Sequence, residues 1–335
     1  MATGELINLE LYPWLMARRL ANIEPAVLTI DVNTGIVNPG ITETHFCDIS
    51  QMASIVNRRF YRQGLNWVVG SFKVQSLEPA KISVSKIPST WVAFNAWMKI
   101  YSHWNKQIKD TLSEGGNESL RARWSDFKIF MNQSHRTAGF ALNLLPRDSA
   151  NNVGVAGEWE GSHVVLPQTA ADGSGTLIDP TEFTLHMVGA STGSSKGMIE
   201  GYADSRSFPQ SPDPVGPSAA SPANWLSSMF DDGSANPEIL DNAENENDDL
   251  PYSQVDYPGG GFNLPALQSH DIVNIYSTSG TTNVGYANLK GGAFPCGLVA
   301  IEYTNNGAVA ASLTIQINMV PGPHRGYLAA SMQEM

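Results

Sequence analysis

The sequence predicts an all-β protein: a single jelly-roll β-sandwich with long loop insertions and one amphipathic helix at about residues 90–110. Three observations predict it. Short segments alternate polar and apolar residues with a period of two, which gives a strand one buried and one wetter face. Thirty glycines and twenty prolines supply turns between them. The connections are long and irregular, without an internal repeat, which excludes a propeller and suits a sandwich whose loops carry insertions.

In chain order the strands are Val27–Val32, Asn66–Val74, Lys81–Lys86, Asp126–Met131, His163–Leu166, Glu182–Met187, Asp271–Ser277, Gly297–Thr304 and Ser312–Met319. The last alternates without a break, as Ser312-Leu313-Thr314-Ile315-Gln316-Ile317-Asn318-Met319. The helix follows Pro88-Ser89-Thr90, and Ser89 or Thr90 can cap it by accepting a hydrogen bond from a free backbone N–H. Trp91, Phe94, Trp97, Met98, Tyr101, Trp104 and Ile108 form its apolar stripe. Such a stripe covers an edge of the sheet core. Because aromatic residues dominate interfaces, Trp91, Trp97, Tyr101 and Trp104 are also candidates to anchor a neighbouring subunit.

Three regions divide the chain: an N-terminal arm (1–25), the sandwich domain (26–320) and a C-terminal tail (321–335). Within the domain, residues 207–262 form a long acidic surface loop. A short helix at Pro222–Phe230 is possible there, and no Lys or Arg occurs from 207 to 289.

Charged residues make up 16% of the chain, against about 25% in an average soluble domain. Two readings fit: much of the surface is hidden against neighbouring subunits, or it is rich in uncharged polar residues. The net charge of −12 is uneven, with +4 in residues 1–150 and −16 in the remainder. That asymmetry suggests one surface able to face a polyanion and one facing solvent. Two cysteines, Cys47 and Cys296, make no disulfide framework and fit synthesis in a reducing compartment. No apolar run approaches the roughly 18 residues that cross a bilayer, and the start lacks a signal-peptide pattern. The expected site of synthesis is the cytoplasm or nucleus, without membrane insertion.

Motifs that carry chemistry are sparse. Gly189-Ala190-Ser191-Thr192-Gly193 matches the hydrolase string G-x-S-x-G, but Ser194–Gly197 opens no helix and the βαβ alternation is missing, so a turn is expected. The seven histidines lack metal-ligand spacing, and Ser134-His135-Arg136 reads as a loop. The acids of 231–249 do not fit an EF-hand. No metal, cofactor or catalytic residue is assigned. The densest basic cluster is Arg58-Arg59-Phe60-Tyr61-Arg62, with Arg18-Arg19 as a second pair. Arginines neutralise phosphates and flat rings stack on unpaired bases, so Arg18, Arg19, Arg58, Arg59 and Arg62 are the candidate nucleic-acid contacts. The plainer alternative is that they pair with acids on adjacent strands or chains.

Several strings resemble coat proteins of circular, Rep-encoding single-stranded DNA viruses, the circovirus-like group. They are Asn57–Leu65, Ile87–Trp97, Asp126–Ile129, Ala138–Pro146 and Val320–Leu328. The resemblance is patchy and spans roughly residues 55 to 330. It implies a jelly-roll subunit that assembles with itself, about sixty copies in a small icosahedral shell. It also implies interior contact with a single-stranded DNA genome, outward loops that meet a host receptor, and residence in the virion. Many such proteins begin with an arginine-rich arm, whereas Met1–Pro25 holds Arg18 and Arg19 against Glu5, Glu10 and Glu24. The region Arg58–Arg62 would then carry more of the genome contact. Two other readings are a lectin-like β-sandwich that binds glycans and a hydrolase acting through Ser191.

Overall fold

The structure is a computed structural model that describes residues 24–116, 126–166, 169–170, 177–178, 181–205, 226, 266–276 and 284–332. The expected acidic loop, the helix at Pro222–Phe230 apart from Leu226, and nearly all of the N-terminal arm lie outside these residues.

In chain order the elements are β1 (Thr29–Val37), β2 (Thr42–Asp48), α1 (Ile49–Asn57), β3 (Leu65–Ser76), β4 (Ala80–Lys86) and α2 (Trp91–Glu114). Then come β5 (Phe130–Asn132), α3 (Gln133–Ala138), β6 (His163–Leu166), β7 (Thr169–Ala170), β8 (Leu177–Ile178), β9 (Thr181–Val188), β10 (Ser195–Gly197) and α4 (Met198–Asp204). The chain finishes with β11 (Gln268–Ile275), β12 (Gly285–Pro295), β13 (Leu298–Asn305), β14 (Ala311–Met319), β15 (Pro321–Gly322), β16 (Gly326–Tyr327) and β17 (Ala329–Ser331).

Two antiparallel sheets form a sandwich. One has the order β1-β14-β3-β12, with β17 also on β3, and the other β11-β4-β13-β2. The first strand pairs with the last of the eight (β1 with β14), then β2 with β13, β3 with β12 and β4 with β11. Successive pairs fall in opposite sheets. The alternation in β14 turns Leu313, Ile315 and Ile317 inward, all fully buried, against Ile30 and Val32 of β1 and Ile82, Val84, Ile301 and Tyr303 of the other sheet. β3 changes phase between Val69 and Phe72, which both face the core. The slip is a bulge against β14, whose register shifts between Asn318–Ser71 and Met319–Val69 and leaves Gly70 over. On its other side Gly70 lies so close to β12 that a Cβ on Gly291 would meet its carbonyl oxygen at 2.1 Å.

The described residues between β4 and β11 form an insertion with its own core. Its mixed sheet has β9 between β10 and β5, both parallel to it, with β6 antiparallel to β9. The insertion covers the outer face of β2 and β13. Paired residues Cys47 and Val299 face the inter-sheet core, while their neighbours Phe46 and Ala300 face the insertion. An exposed start at Thr42–Thr44 followed by double burial of Phe46–Asp48 leaves no alternation and explains why that strand is not read from the sequence. β12 escapes for another reason: glycine and alanine occupy five of its eleven positions, so its apolar phase is weak.

The helix is capped as expected, by Thr90 Oγ1 accepting from the Ala93 N–H at 3.5 Å. Its buried face is rotated from the expected stripe. Val92, Ala93, Phe94, Ala96, Trp97, Ile100 and Trp104 are buried, while Trp91 is 47% exposed and Met98 39%. Small residues let the helix approach closely, and they define its face as much as the aromatic ones do. The described residues hold α1, α3 and α4 besides, so the expectation of one helix is corrected. Ser134-His135-Arg136 is the middle of α3 rather than a loop.

Two buried polar groups hold these elements together. Asp48 is fully buried at the end of β2 and caps α1, accepting from the amides of Ser50 and Gln51, the Ser50 hydroxyl, Gln63 Nε2 and Trp159 Nε1. Burial pushes its pKa up and the bonds from the Ser50 hydroxyl, Gln63, Trp159 and the Gln51 amide hold it down, with burial the stronger. Replacing Asp48 with alanine strands those donors at about 1–3 kcal/mol for each one left unmet. We expect Asp48→Ala to lower unfolding free energy by at least about 3 kcal/mol in chemical denaturation. A loss under about 1 kcal/mol would remove it from this structural role.

His135 accepts from the Met131 N–H through Nδ1 and donates from Nε2 to Asn143 Oδ1, with its ring stacked 4.6 Å from Phe46. Burial lowers its pKa to about 4, from 6.5. The unfolded chain therefore binds a proton first. The stability held by neutral His135 is complete above pH 6.5 and is lost as the pH falls toward 4, at about 1.4 kcal/mol per pH unit. The stability difference between the parent and His135→Gln, which does not titrate, is expected to narrow across that window. A constant difference from pH 7 to pH 4 would show that His135 is not buried neutral.

Candidate functional site

The connection between α1 and β3 carries the basic cluster. α1 ends at Arg58, whose left-handed backbone (φ 51°) reverses the chain, and its N–H bonds the Ser54 carbonyl. Arg58 is exposed there. Arg59 pairs with Glu24. Tyr61 is buried, and its hydroxyl donates to the Arg325 carbonyl at 2.9 Å. Gln63 turns inward to Asp48 and accepts the Ile129 amide at 2.7 Å. Side chains thus alternate out and in, and Phe60 and Arg62 point outward because Tyr61 and Gln63 are tied down.

The chain's last turns lie against this segment. β17 continues beside β3 where β14 leaves it, pairing Ala329 with Trp67. The hairpin of β15 and β16 places Arg325 so that Nη1 donates to the Phe60 carbonyl at 2.7 Å. Tyr327 locks the hairpin by donating to the Val27 carbonyl at 2.6 Å and accepting from Asn57.

Between segment, hairpin and α2 lies a cleft of about 370 Å³, lined by Phe60, Arg62, Gly64, Trp97, Tyr101, Phe127, His324 and Arg325 among others. Trp97 and Tyr101 stack at 4.7 Å with planes 12° apart, and Phe127 packs edge-on to both. The Trp97 indole N–H is buried without a hydrogen-bond partner among the described residues. Neither Arg62 nor Arg325 makes an ion pair among the described residues. Burial first and the Arg325 charge second hold His324 below its usual pKa, so the imidazole is neutral at pH 7. The wall thus offers two cations, flat rings and donors without a carboxylate, a surface suited to an anion that carries an aromatic or apolar body.

The cleft brings together parts of both predicted groups. Of the candidate nucleic-acid contacts, Arg62 lines it, Arg58 lies outside it, Arg59 is neutralised by Glu24, and Arg18 and Arg19 lie outside the described residues. Of the candidate interface aromatics, Trp97 and Trp104 are 3% and 5% exposed, taken up by the chain's own second core. That corrects Trp97 and Trp104 as open anchor residues; of the four, Trp91 and part of Tyr101 remain open. Arg325 was not singled out. A lone arginine in a turn, Pro323-His324-Arg325-Gly326, carries no local signal beyond being one of few cations in the second half.

The G-x-S-x-G string is a turn between β9 and β10. A helix, α4, does follow at Met198, against expectation. Ser191 Oγ accepts from the Gly197 N–H, and the nearby His186 bonds Ser195 Oγ and the Ala190 carbonyl instead. Among the described residues no three His, Cys, Asp or Glu side chains gather as a metal site. No helix of the described residues is long and apolar enough to cross a membrane. Comparison with protein-family models, curated proteins and solved structures finds no match.

Gly64 sets the depth of the cleft, since a Cβ there would meet Trp97 Cζ2 at 2.5 Å. Gly64→Ala is expected to push the indole out of place, costing about 1–3 kcal/mol and changing the tryptophan near-ultraviolet dichroism. An unchanged spectrum and stability would mean that Gly64 and Trp97 are not in contact.

Proposed function

We propose that the chain is a jelly-roll coat subunit that assembles with copies of itself into a closed shell around single-stranded DNA. The observation that carries this reading is the winding of the eight sandwich strands. First pairs with last and each successive pair changes sheet, a winding that supports a jelly roll, an architecture used by viral capsid and lectin domains. Fold alone does not choose among those uses.

Self-assembly is favoured over glycan binding by one end of the sandwich. The β1–β2, β3–β4 and β13–β14 connections lie at that end, stitched by Gly40 N–H to the Asn305 carbonyl and Asn306 N–H to the Pro79 carbonyl, beside the end of β11 and the start of β12. These connections and the strand ends beside them expose Ile36 (77%), Leu77 (61%), Val309 (57%), Tyr276 (71%) and Tyr286 (73%). Apolar side chains gathered on one end of a domain mark a surface that is covered in the working state. Copies meeting there under closed symmetry would cover it. Arg62, in the predominantly basic half of the chain, would face the genome.

Size-exclusion chromatography and negative-stain microscopy of the purified chain test the reading. Closed particles are expected, and the double variant Leu77→Asp with Val309→Asp is expected to remain folded but unassembled. A chain that stays monomeric at high concentration across salt and pH would overturn it, and specific capture of that monomer on a glycan array would favour the lectin-like alternative.

A further inference from the structure

We infer that the cleft between Arg62 and Arg325 binds one nucleotide unit, with its phosphate on the two guanidiniums and its base against the aromatic wall. The inference rests on the nucleic-acid half of the proposed function and not on assembly.

Charge comes first. Three arginines approach this region, and Glu24 answers one of them, Arg59. Among the described residues, Arg62 and Arg325 line the cleft without an ion pair and no carboxylate lines it with them. Arg325 is also held in place, since its backbone φ is 50° and its Nη1 is bonded to Phe60. A guanidinium fixed in this way loses little freedom on meeting a phosphate, and its remaining N–H groups can form a forked contact.

An inorganic anion would satisfy the arginines and leave the rest of the wall without purpose. Phe60 lines the cleft with 46% of its surface exposed, and Tyr101 lies stacked on Trp97. Trp97 is 3% exposed, yet its indole N–H has no partner among the described residues. A buried donor left unmet is costly, and an acceptor from outside would relieve it. A nucleobase supplies both missing pieces, a flat face for the rings and carbonyl acceptors for the indole. A base inside a duplex is already stacked and paired, so the cleft selects a single strand or a free nucleotide.

Binding is measured on the full chain in salt that keeps it unassembled, as checked by light scattering. The probes are an oligothymidylate, the same strand without bases, its duplex, and thymidine monophosphate. The base-bearing strand is expected to bind at least about tenfold tighter than the abasic strand or the duplex. Arg62→Ala should weaken it about tenfold and lower the slope of log affinity against log salt by about one. Phe60→Ala, at an exposed ring, should weaken the base-bearing strand about tenfold and leave the abasic strand unchanged. Trp97→Phe should weaken it with the thermal midpoint monitored, and Lys81→Ala, on another strand, should change nothing beyond twofold. Monophosphate binding as tight as the strand, with the same Arg62 and Phe60 dependence, assigns the site to free nucleotides; tighter strand binding assigns it to a polymer. Equal affinity for abasic and base-bearing strands, or indifference to both Arg62→Ala and Phe60→Ala, overturns the inference. Shells that form from a chain failing these tests leave the assembly reading standing, and binding by a chain that never assembles leaves this one standing.

Discussion

The structure depends on one carboxyl group kept out of water. Asp48 stands where a sandwich strand becomes a helix, and its two oxygens face five donors from four residues. Desolvating a carboxyl is expensive, and only dense hydrogen bonding makes the position tolerable. What that expense secures is geometry. Ser50 and Gln51 belong to α1, Gln63 to the strand-entering segment, and Trp159 to the insertion. Gln63 in turn grips both the amide and the carbonyl of Ile129. A single side chain therefore ties α1, the segment leading into β3 and the insertion to the end of a sandwich strand.

The insertion changes what the two sheets can do. It covers part of one outer face, so β13 is buried on both sides and reads as a nearly continuous apolar run. The other sheet keeps a polar outer face, where Asn33 bonds Thr314 and Asn318 bonds Ser71 across the strands. These cross-strand bonds satisfy side chains locally. The molecule is thus unequal: one face carries a second core, one face is hydrated, and one end is apolar.

Legibility in the sequence followed burial. Strands with one wet face, such as β14 and β6, alternate cleanly and were located to within a residue or two. Those buried on both faces over part of their length or built of small residues, β2 and β12, left no period to find. The amphipathic helix was found with its cap, but its large rings drew the apolar stripe away from the face that Val92, Ala93, Ala96 and Ile100 define. The short α1, α3 and α4 are held by tertiary contacts and buried caps more than by propensity. At the cleft, Arg62 and the rings around it were visible as a local cluster. Arg325 was not, because its place beside Phe60 is set by strand pairing across more than two hundred residues.

That pairing has a consequence for the order of events during synthesis. Thr29 finds its partner in Asn318, and the edge of β3 is completed only when Ala329–Ser331 arrives. Contacts so distant along the chain close late and slowly. The sandwich cannot shut while its far end is still on the ribosome, so a nascent chain lacks the completed cleft. Until then the strand edges stay unpaired, and their aggregation becomes the hazard this architecture must survive.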